Sequence, residues 1–484
     1  MLTQLSPQDA SFVFLESPTT PMHIGSLAIY DTSDAPNGEL RTEDFTRMFE
    51  ERMHLNPFGR RRLVSVPMDA DYPYWIEDRN FDIDYHIRRW ALPKPADWKT
   101  LYQVAARLFS RPLDMSKPLW EITIIEGLHN LEGVPEGAVA ILTKTHHAAV
   151  DGTSGMHLVE LMHDLSESPR DVGRPPEAWR PDPVPNDAEL MFRTAMNNLQ
   201  QPFKFAQVWA QQAGSLVRSP AAVGSGLRNA KLPSMPSAPK TRFNGNLSAQ
   251  RSIGSVVLPL DAVRKARKVV DGATVNDAVL AICGGGLRRY LEAKKELPDR
   301  SLVAMAPINA RKEGDTEAGN QVSAMFVGIG TDIADPVSRL AAIRDASSVS
   351  KEAGRGVAAR AMTDYARFVP AFTAALASRL QASTAAAMPQ PPFNVSISNV
   401  PGPQVPLYAV GCKMINSIGY GGIVNGMGLI MPVTSYCGLL TIAFTACRDM
   451  IPDPAFFTKC LQASADELFE AAGLDTSADL ATNA

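Results

Sequence analysis

The chain has 484 residues, 45% of them apolar and 20% charged, and its formal net charge is −4. That length supports two sizeable cores, the composition argues against disorder over most of the chain, and the net charge gives no general reason to expect a nucleic-acid partner. The five cysteines, Cys283, Cys412, Cys437, Cys447 and Cys460, are odd in number and form no CxxC pair, which argues against a disulfide framework or a structural zinc site and fits small core residues of a cytoplasmic protein.

The stretch from Met1 to Asp9 lacks the basic start and apolar run of a signal peptide, and no uninterrupted 18-residue apolar span follows. Neither export nor a membrane-spanning helix is expected, although an amphipathic helix could still lie on a membrane surface. His23 to Tyr30 reads as a strand. Phe81 to Trp90 and Trp120 to Ile125 also read as strands, from their alternation and β-branched content. Ala138 to Thr145 is an apolar strand that runs directly into His146-His147-Ala148-Ala149-Val150-Asp151-Gly152, after which Met156, Val159, Leu161 and Met162 recur at helical spacing.

That seven-residue segment places a possible general base and a possible orienting carboxylate on a strand-to-helix loop, where a rigid scaffold presents side chains to substrate. Adjacent histidines on an extended backbone point to opposite sides, so one faces a cavity and the other braces the loop from behind. A metal site built on His146, His147 and Asp151 lacks the HExxH arrangement and a further ligand cluster, and no GxSxG motif or neighbouring cysteine supplies an acyl-enzyme nucleophile.

Residues 191–250 contain seven Lys or Arg and no Asp or Glu. The first half of this region reads as a helix with Phe192, Met196, Leu199 and Phe203 on one side, and the second half, with Pro233, Pro236 and Pro239, as a connector. Such a basic amphipathic segment suits an interdomain helix or an anionic lipid surface. A second strand-rich section begins at Arg251. Thr274 and Asp277 form a capping box ahead of a helix marked by Leu280, Leu287 and Leu291, so capping is the plain reading of Asp277. Gly284-Gly285-Gly286 inside that helix indicates close packing or a local bend, and it has neither the Rossmann spacing nor a P-loop ending. Phe393 to Asn399 reads as a strand with polar residues available to a cavity, ending in a turn at Val400-Pro401-Gly402-Pro403. The glycines between Gly411 and Gly428 read as turns, and Leu439 to Thr445 as another strand.

The segment His146 to Gly152 matches the HHxxxDG motif of CoA-dependent acyltransferases, which chloramphenicol acetyltransferase and peptide-synthetase condensation domains share. Around it, Leu5-Ser6-Pro7-Gln8-Asp9, Pro21-Met22-His23-Ile24-Gly25, Pro118-Leu119-Trp120-Glu121, Asn276-Asp277 and Asn399-Val400-Pro401-Gly402-Pro403 resemble the bacterial wax ester synthase/diacylglycerol acyltransferase family across residues 3–473. Ala306 to Arg311, followed by Gly319-Asn320, resembles a further family segment, with Asn309 standing where the family commonly has serine.

The resemblance implies an α/β fold of two chloramphenicol-acetyltransferase-like domains, each a mixed sheet flanked by helices: residues 1–190 carrying the histidine motif, a basic crossover at 191–245, and residues 246–484. It implies a tunnel between the domains that is reached separately by acyl-CoA, the donor, and by a fatty alcohol or diacylglycerol. In the implied reaction His147 is the general base, His146 supports it, and Asp151 and Gly152 shape the loop. Asn276, Asp277 and Ser398 are the candidates for substrate contact or site support. No permanently bound cofactor or metal is expected, and a lipid-inclusion or inner-membrane surface is the expected location if the cytoplasmic chain attaches to lipid. The alternatives are a condensation enzyme or other carrier-dependent acyltransferase, and a lipid-binding protein without catalysis.

Overall fold

The computed structural model describes residues 2–35, 38–150, 158–159, 161–174, 179, 181, 183–199, 237–309, 322–354 and 371–474. Asp151, Gly152, Met156, Phe203, the connector prolines Pro233 and Pro236, Arg311 and Gly319-Asn320 lie outside these residues.

Beside a small sheet of β1 (Thr3–Gln4), β3 (Arg61–Val64) and β4 (Tyr74–Glu77), two six-stranded sheets organise the chain. In the first, β2 (His23–Asp31) runs antiparallel to β7 (Val139–His146), β7 antiparallel to β6 (Trp120–Glu126), and β6 parallel to β5 (Ile87–Ala91). Every residue of β7 is buried, because both sheet faces are covered, and a doubly covered strand reads as a continuous apolar run. Its alternate residues divide between two cores. Val139 and Ile141 join Phe45 and Phe49 of helix α2 (Thr42–Arg52), whereas Ala140 and Leu142 join Leu101 and Phe109 of helix α4 (Trp98–Phe109).

Only the second half of the stretch Phe81 to Trp90 is a strand. Asp82 accepts a hydrogen bond from the Asp84 amide at 3.1 Å and caps a short helix, α3 (Ile83–His86), before β5 begins. The turn is held from the core side: the His86 ring stacks on Phe81 and on Trp120.

The second sheet has the order β10 (Val322–Gly328), β9 (Val303–Asn309), β11 (Val395–Pro401), β14 (Leu429–Tyr436), β15 (Leu439–Cys447), β8 (Arg251–Pro259). Behind it lies helix α6 (Val275–Ala293), started by the reciprocal Thr274–Asp277 capping box and following the short helix α5 (Leu260–Ala266). Helices α7 (Pro336–Gly354) and α9 (Pro454–Ala471) pack on α6. The three glycines mark these contacts: a Cβ at Gly284 would stand 2.0 Å from the Ile329 carbonyl oxygen, and one at Gly285 would meet Ser464 and the buried Arg339. Close packing, without a ligand loop, accounts for them.

The segment with the glycines from Gly411 onward does not simply turn. Strands β12 (Tyr408–Ala409) and β13 (Cys412–Tyr420) leave the C-terminal half and complete the first sheet, with β13 antiparallel to β2. The two halves are therefore interlocked. They also touch directly: the Tyr102 hydroxyl lies 2.8 Å from Ser255 Oγ, and the buried Arg251 guanidinium donates to the Thr19 carbonyl at 2.6 Å. Four of the five free cysteines are buried, and Cys437 is exposed.

Candidate active site

β7 ends at His146, and one turn of 3-10 helix, His147–Ala149, begins the histidine loop. The two rings diverge. His146 is completely buried, and its Nδ1 accepts the Ala148 amide at 3.1 Å, so in the neutral ring the proton resides on Nε2, 3.3 Å from Glu16 Oε2. Below the loop the His146 amide donates to the Leu119 carbonyl, 2.9 Å away, and Leu119 packs with Ala148 and Ala149. The Pro118-Leu119-Trp120 segment thus acts as the floor of the loop, with Trp120 fully buried and its indole N–H donating to the Gly59 carbonyl.

His147 is positioned from the N-terminal helix α1 (Pro7–Leu15), whose start is fixed by Ser6 accepting the Asp9 amide. The Phe12 ring stacks on the imidazole with centroids 3.8 Å apart and planes at 18°. The His147 amide donates to the Met22 carbonyl at 2.8 Å, which ties the loop to the edge of β2. Among the described residues, Nδ1 of His147 is sealed from solvent and has no hydrogen-bond partner on another residue. Burial pulls the imidazole down from its ordinary value to about 4, with its own backbone carbonyl opposing and His146 reinforcing the shift. At neutral pH the ring is uncharged.

Beyond the motif the chain is anchored by a buried polar cluster. Arg52 and Asp164 pair at 2.6 Å, both almost wholly buried, and Arg52 also donates to the Leu161 carbonyl. His163 Nε2 lies 2.6 Å from the Tyr30 hydroxyl, and the backbone of Asp164 exchanges two hydrogen bonds with Tyr408 of β12.

In the C-terminal half, Asp277 uses Oδ2 on the cap, accepting from the Thr274 amide at 2.8 Å and hydroxyl at 2.7 Å, while its Oδ1 is buried without a hydrogen-bond partner among the described residues. Asn276 Oδ1 faces the Asn399 amide group at 3.5 Å, which joins two of the quoted motifs. Ser398 is half-buried on β11. Among the described residues no hydrogen bond or ring contact links this group to His147, and no cluster of three His, Cys, Asp or Glu side chains is placed to hold a metal.

Phe12, Glu16 and Met22 were not singled out by sequence reasoning. Their signals were present: Leu5 to Asp9 begins the helix that carries Phe12 and ends beside Glu16, and Pro21 to Gly25 contains Met22. What was missing was the long-range contact that brings both to the histidine loop.

Residues 5–279 match the wax ester synthase/diacylglycerol acyltransferase catalytic domain, and residues 318–469 match the WS/DGAT C-terminal domain. The chain belongs to the wax ester synthase/diacylglycerol acyltransferase family. It is 31% identical over 457 residues to a putative diacylglycerol O-acyltransferase of Mycobacterium tuberculosis (strain ATCC 25618 / H37Rv), covering 93% of this chain and 87% of the relative. A second putative diacylglycerol O-acyltransferase of the same strain is 33% identical over 470 residues, covering 97% of this chain and all of the relative. The solved wax ester synthase/diacylglycerol acyltransferase from Marinobacter aquaeolei VT8 aligns with a TM-score of 0.66 at 26% identity, over 98% of this chain and 100% of that one. The two-domain acyltransferase fold implied by the motifs is the one observed, and the protein is an acyl-CoA-dependent O-acyltransferase whose partners are acyl-CoA and a lipid acceptor. Among the described residues no helix is long and apolar enough to cross a membrane.

Proposed function

We propose that this enzyme transfers a long-chain acyl group from acyl-CoA to the hydroxyl of a fatty alcohol or a diacylglycerol, with His147 as general base. The observation that carries this reading is the seating of His147: its ring is stacked on Phe12 and its Nδ1 is sealed, which leaves Nε2 as the nitrogen for substrate. Nε2 takes the acceptor proton as the hydroxyl oxygen bonds to the thioester carbon. The C–S bond then breaks and the departing CoA sulfur receives the proton, so no acyl-enzyme forms. A ring held near 4 is a weaker base than free imidazole, but it is fully neutral under working conditions, so no fraction is lost to protonation. His146 braces the loop, Asp151 and Gly152 shape it, and the charge developing on the thioester oxygen is assigned to polar groups around Asn276 and Ser398, with Asp277 holding the start of α6.

We further propose that the enzyme works at a lipid surface. Helix α8 (Ala371–Thr384) buries Ala371 and Ala375, packs against α1, and exposes Phe372, Leu376 and Leu380 at successive helical turns. The helical residues 187–199 expose Met191, Phe192, Met196 and Leu199. A water-insoluble acceptor delivered to the α8 face would arrive one helix away from the Phe12 platform. The described helical part of the crossover thus presents apolar side chains to solvent, and residues 200–236 lie outside the described set.

The test supplies acyl-CoA with fatty alcohol or with diacylglycerol and measures CoA release and ester together. Acceptor-dependent ester formation supports the reading, and CoA release without ester opposes it. Sedimentation with anionic vesicles that weakens in Leu376→Glu supports the lipid-surface assignment, and unchanged sedimentation opposes it.

A further inference from the structure

Helix α1 reaches the histidine loop twice, through Phe12 and, one turn later, through Glu16, the residue at which the chain leaves the helix. The Glu16 side chain is only 13% exposed. Its Oε2 accepts the Met22 amide at 2.5 Å and also stands 3.3 Å from His146 Nε2. Because His146 Nδ1 is occupied as an acceptor by the Ala148 amide, the neutral ring carries its hydrogen on the Nε2 edge, 3.3 Å from the carboxylate, and among the described residues Nε2 makes no hydrogen bond. The carbonyl of the same residue, Met22, takes the His147 amide. One carboxylate oxygen therefore meets the loop at two points: a close contact with the ring beside His147 in sequence, and a hydrogen bond to the residue whose carbonyl holds the His147 backbone.

We propose that Glu16 is a positioning residue for His147, acting through the His146 ring and the Met22 backbone. The proposal rests on the reading of His147 as base. Glu16 does not touch the reacting atoms; it fixes the tautomer of His146 and the height of the Met22 carbonyl, and so fixes where the His147 ring meets the acceptor hydroxyl. Misplacement of a catalytic group by about 1 Å is enough to cost roughly 100-fold in rate.

Three measurements test this. In Glu16→Ala, kcat falls roughly 100-fold while KM for both substrates stays within about twofold. In Glu16→Gln, which keeps an acceptor oxygen at the same reach, kcat falls only about fivefold, the loss expected when a charged acceptor becomes a neutral one. A Gln variant as inactive as the Ala variant would mean that the charge takes part in proton transfer, which overturns a positioning role. A Glu16→Ala protein that is only less stable, with the kcat of its folded fraction unchanged, would reduce Glu16 to a helix end and equally overturn it.

The third measurement does not depend on activity. Imidazole 15N spectra of the full-length protein should place His146 in the Nε2–H form in the wild type, and in Glu16→Ala the Nε2 resonance should shift while the other histidines keep theirs. An Nδ1–H form in the wild type refutes the pairing. If His147→Ala were fully active, the reading of the base would fail while these spectra still reported on Glu16, so the two failures are separable.

Discussion

The His163 imidazole is built to remain neutral. Nδ1 lies 2.8 Å from the Val159 carbonyl oxygen and so carries the proton, which leaves Nε2 to accept from the Tyr30 hydroxyl at 2.6 Å. A second proton would turn Nε2 into a donor facing that hydroxyl. Burial holds the ring at about 4, below its ordinary 6.5; the Val159 carbonyl and Asp164 oppose the shift, and Arg52 adds to it. The sign follows from linkage. The folded pKa is depressed, so the unfolded chain binds a proton that the folded chain refuses, and the stabilising contribution is complete above about 6.5 and declines as pH falls toward 4. Between pH 7 and pH 5 one such histidine lowers stability by about 2 kcal/mol. His147, also held at about 4, adds a similar amount, and the buried His23 shifts in the same direction. Urea unfolding at the two pH values should therefore give a wild-type drop of at least about 4 kcal/mol, from His163 and His147 together. In His163→Gln the starting stability is lower, but the drop between the two pH values should shrink by about 2 kcal/mol. A variant with the wild-type drop would refute the assignment of a depressed pKa to His163.

With His147 as base at about 4, the acidic limb of kcat/KM should lie well below the ordinary imidazole value; initial rates from pH 4.5 to 8, with folding followed by circular dichroism, would contradict this by showing a limb centred near 6.5. Arg52→Met leaves Asp164 buried with, as its one remaining cation among the described residues, the half-exposed Arg170, and should cost about 3 kcal/mol in urea unfolding, whereas a loss below about 1 kcal/mol would mean that the pair is not buried in solution. Gly284→Ala forces a Cβ against the Ile329 carbonyl and should destabilise by about 1–3 kcal/mol or more, read from the thermal midpoint; an unchanged midpoint would contradict the close approach of α6 to that backbone.

Local chemistry made part of this molecule legible. The apolar run before His146 specified a strand, the Thr274–Asp277 pair specified a helix start, and the glycine triplet specified either a close contact or a bend, of which the close contact is found, because each depends on residues within one turn or strand. The pairing of β13 with β2 was not legible, since a strand's partner is chosen by long-range register that a glycine-rich stretch does not display. The Phe12 stack and the Glu16 contact were hidden for the same reason: helix α1 has an ordinary sequence, and its role appears only once β2 and β7 place Met22 and His146 beside it. Phe81 to Trp90 was misleading in another way, because Asp82 as a helix cap outweighed the alternation that suggested a strand.

The most direct measurement compares wild type and His147→Ala for ester formation and CoA release from a long-chain acyl-CoA, with a fatty alcohol and with a diacylglycerol as acceptors. A folded variant with the wild-type unfolding transition at neutral pH and ester formation reduced about 10²- to 10⁴-fold is the result expected of a lost general base. A folded variant that still makes ester at the wild-type rate would contradict the assignment of His147.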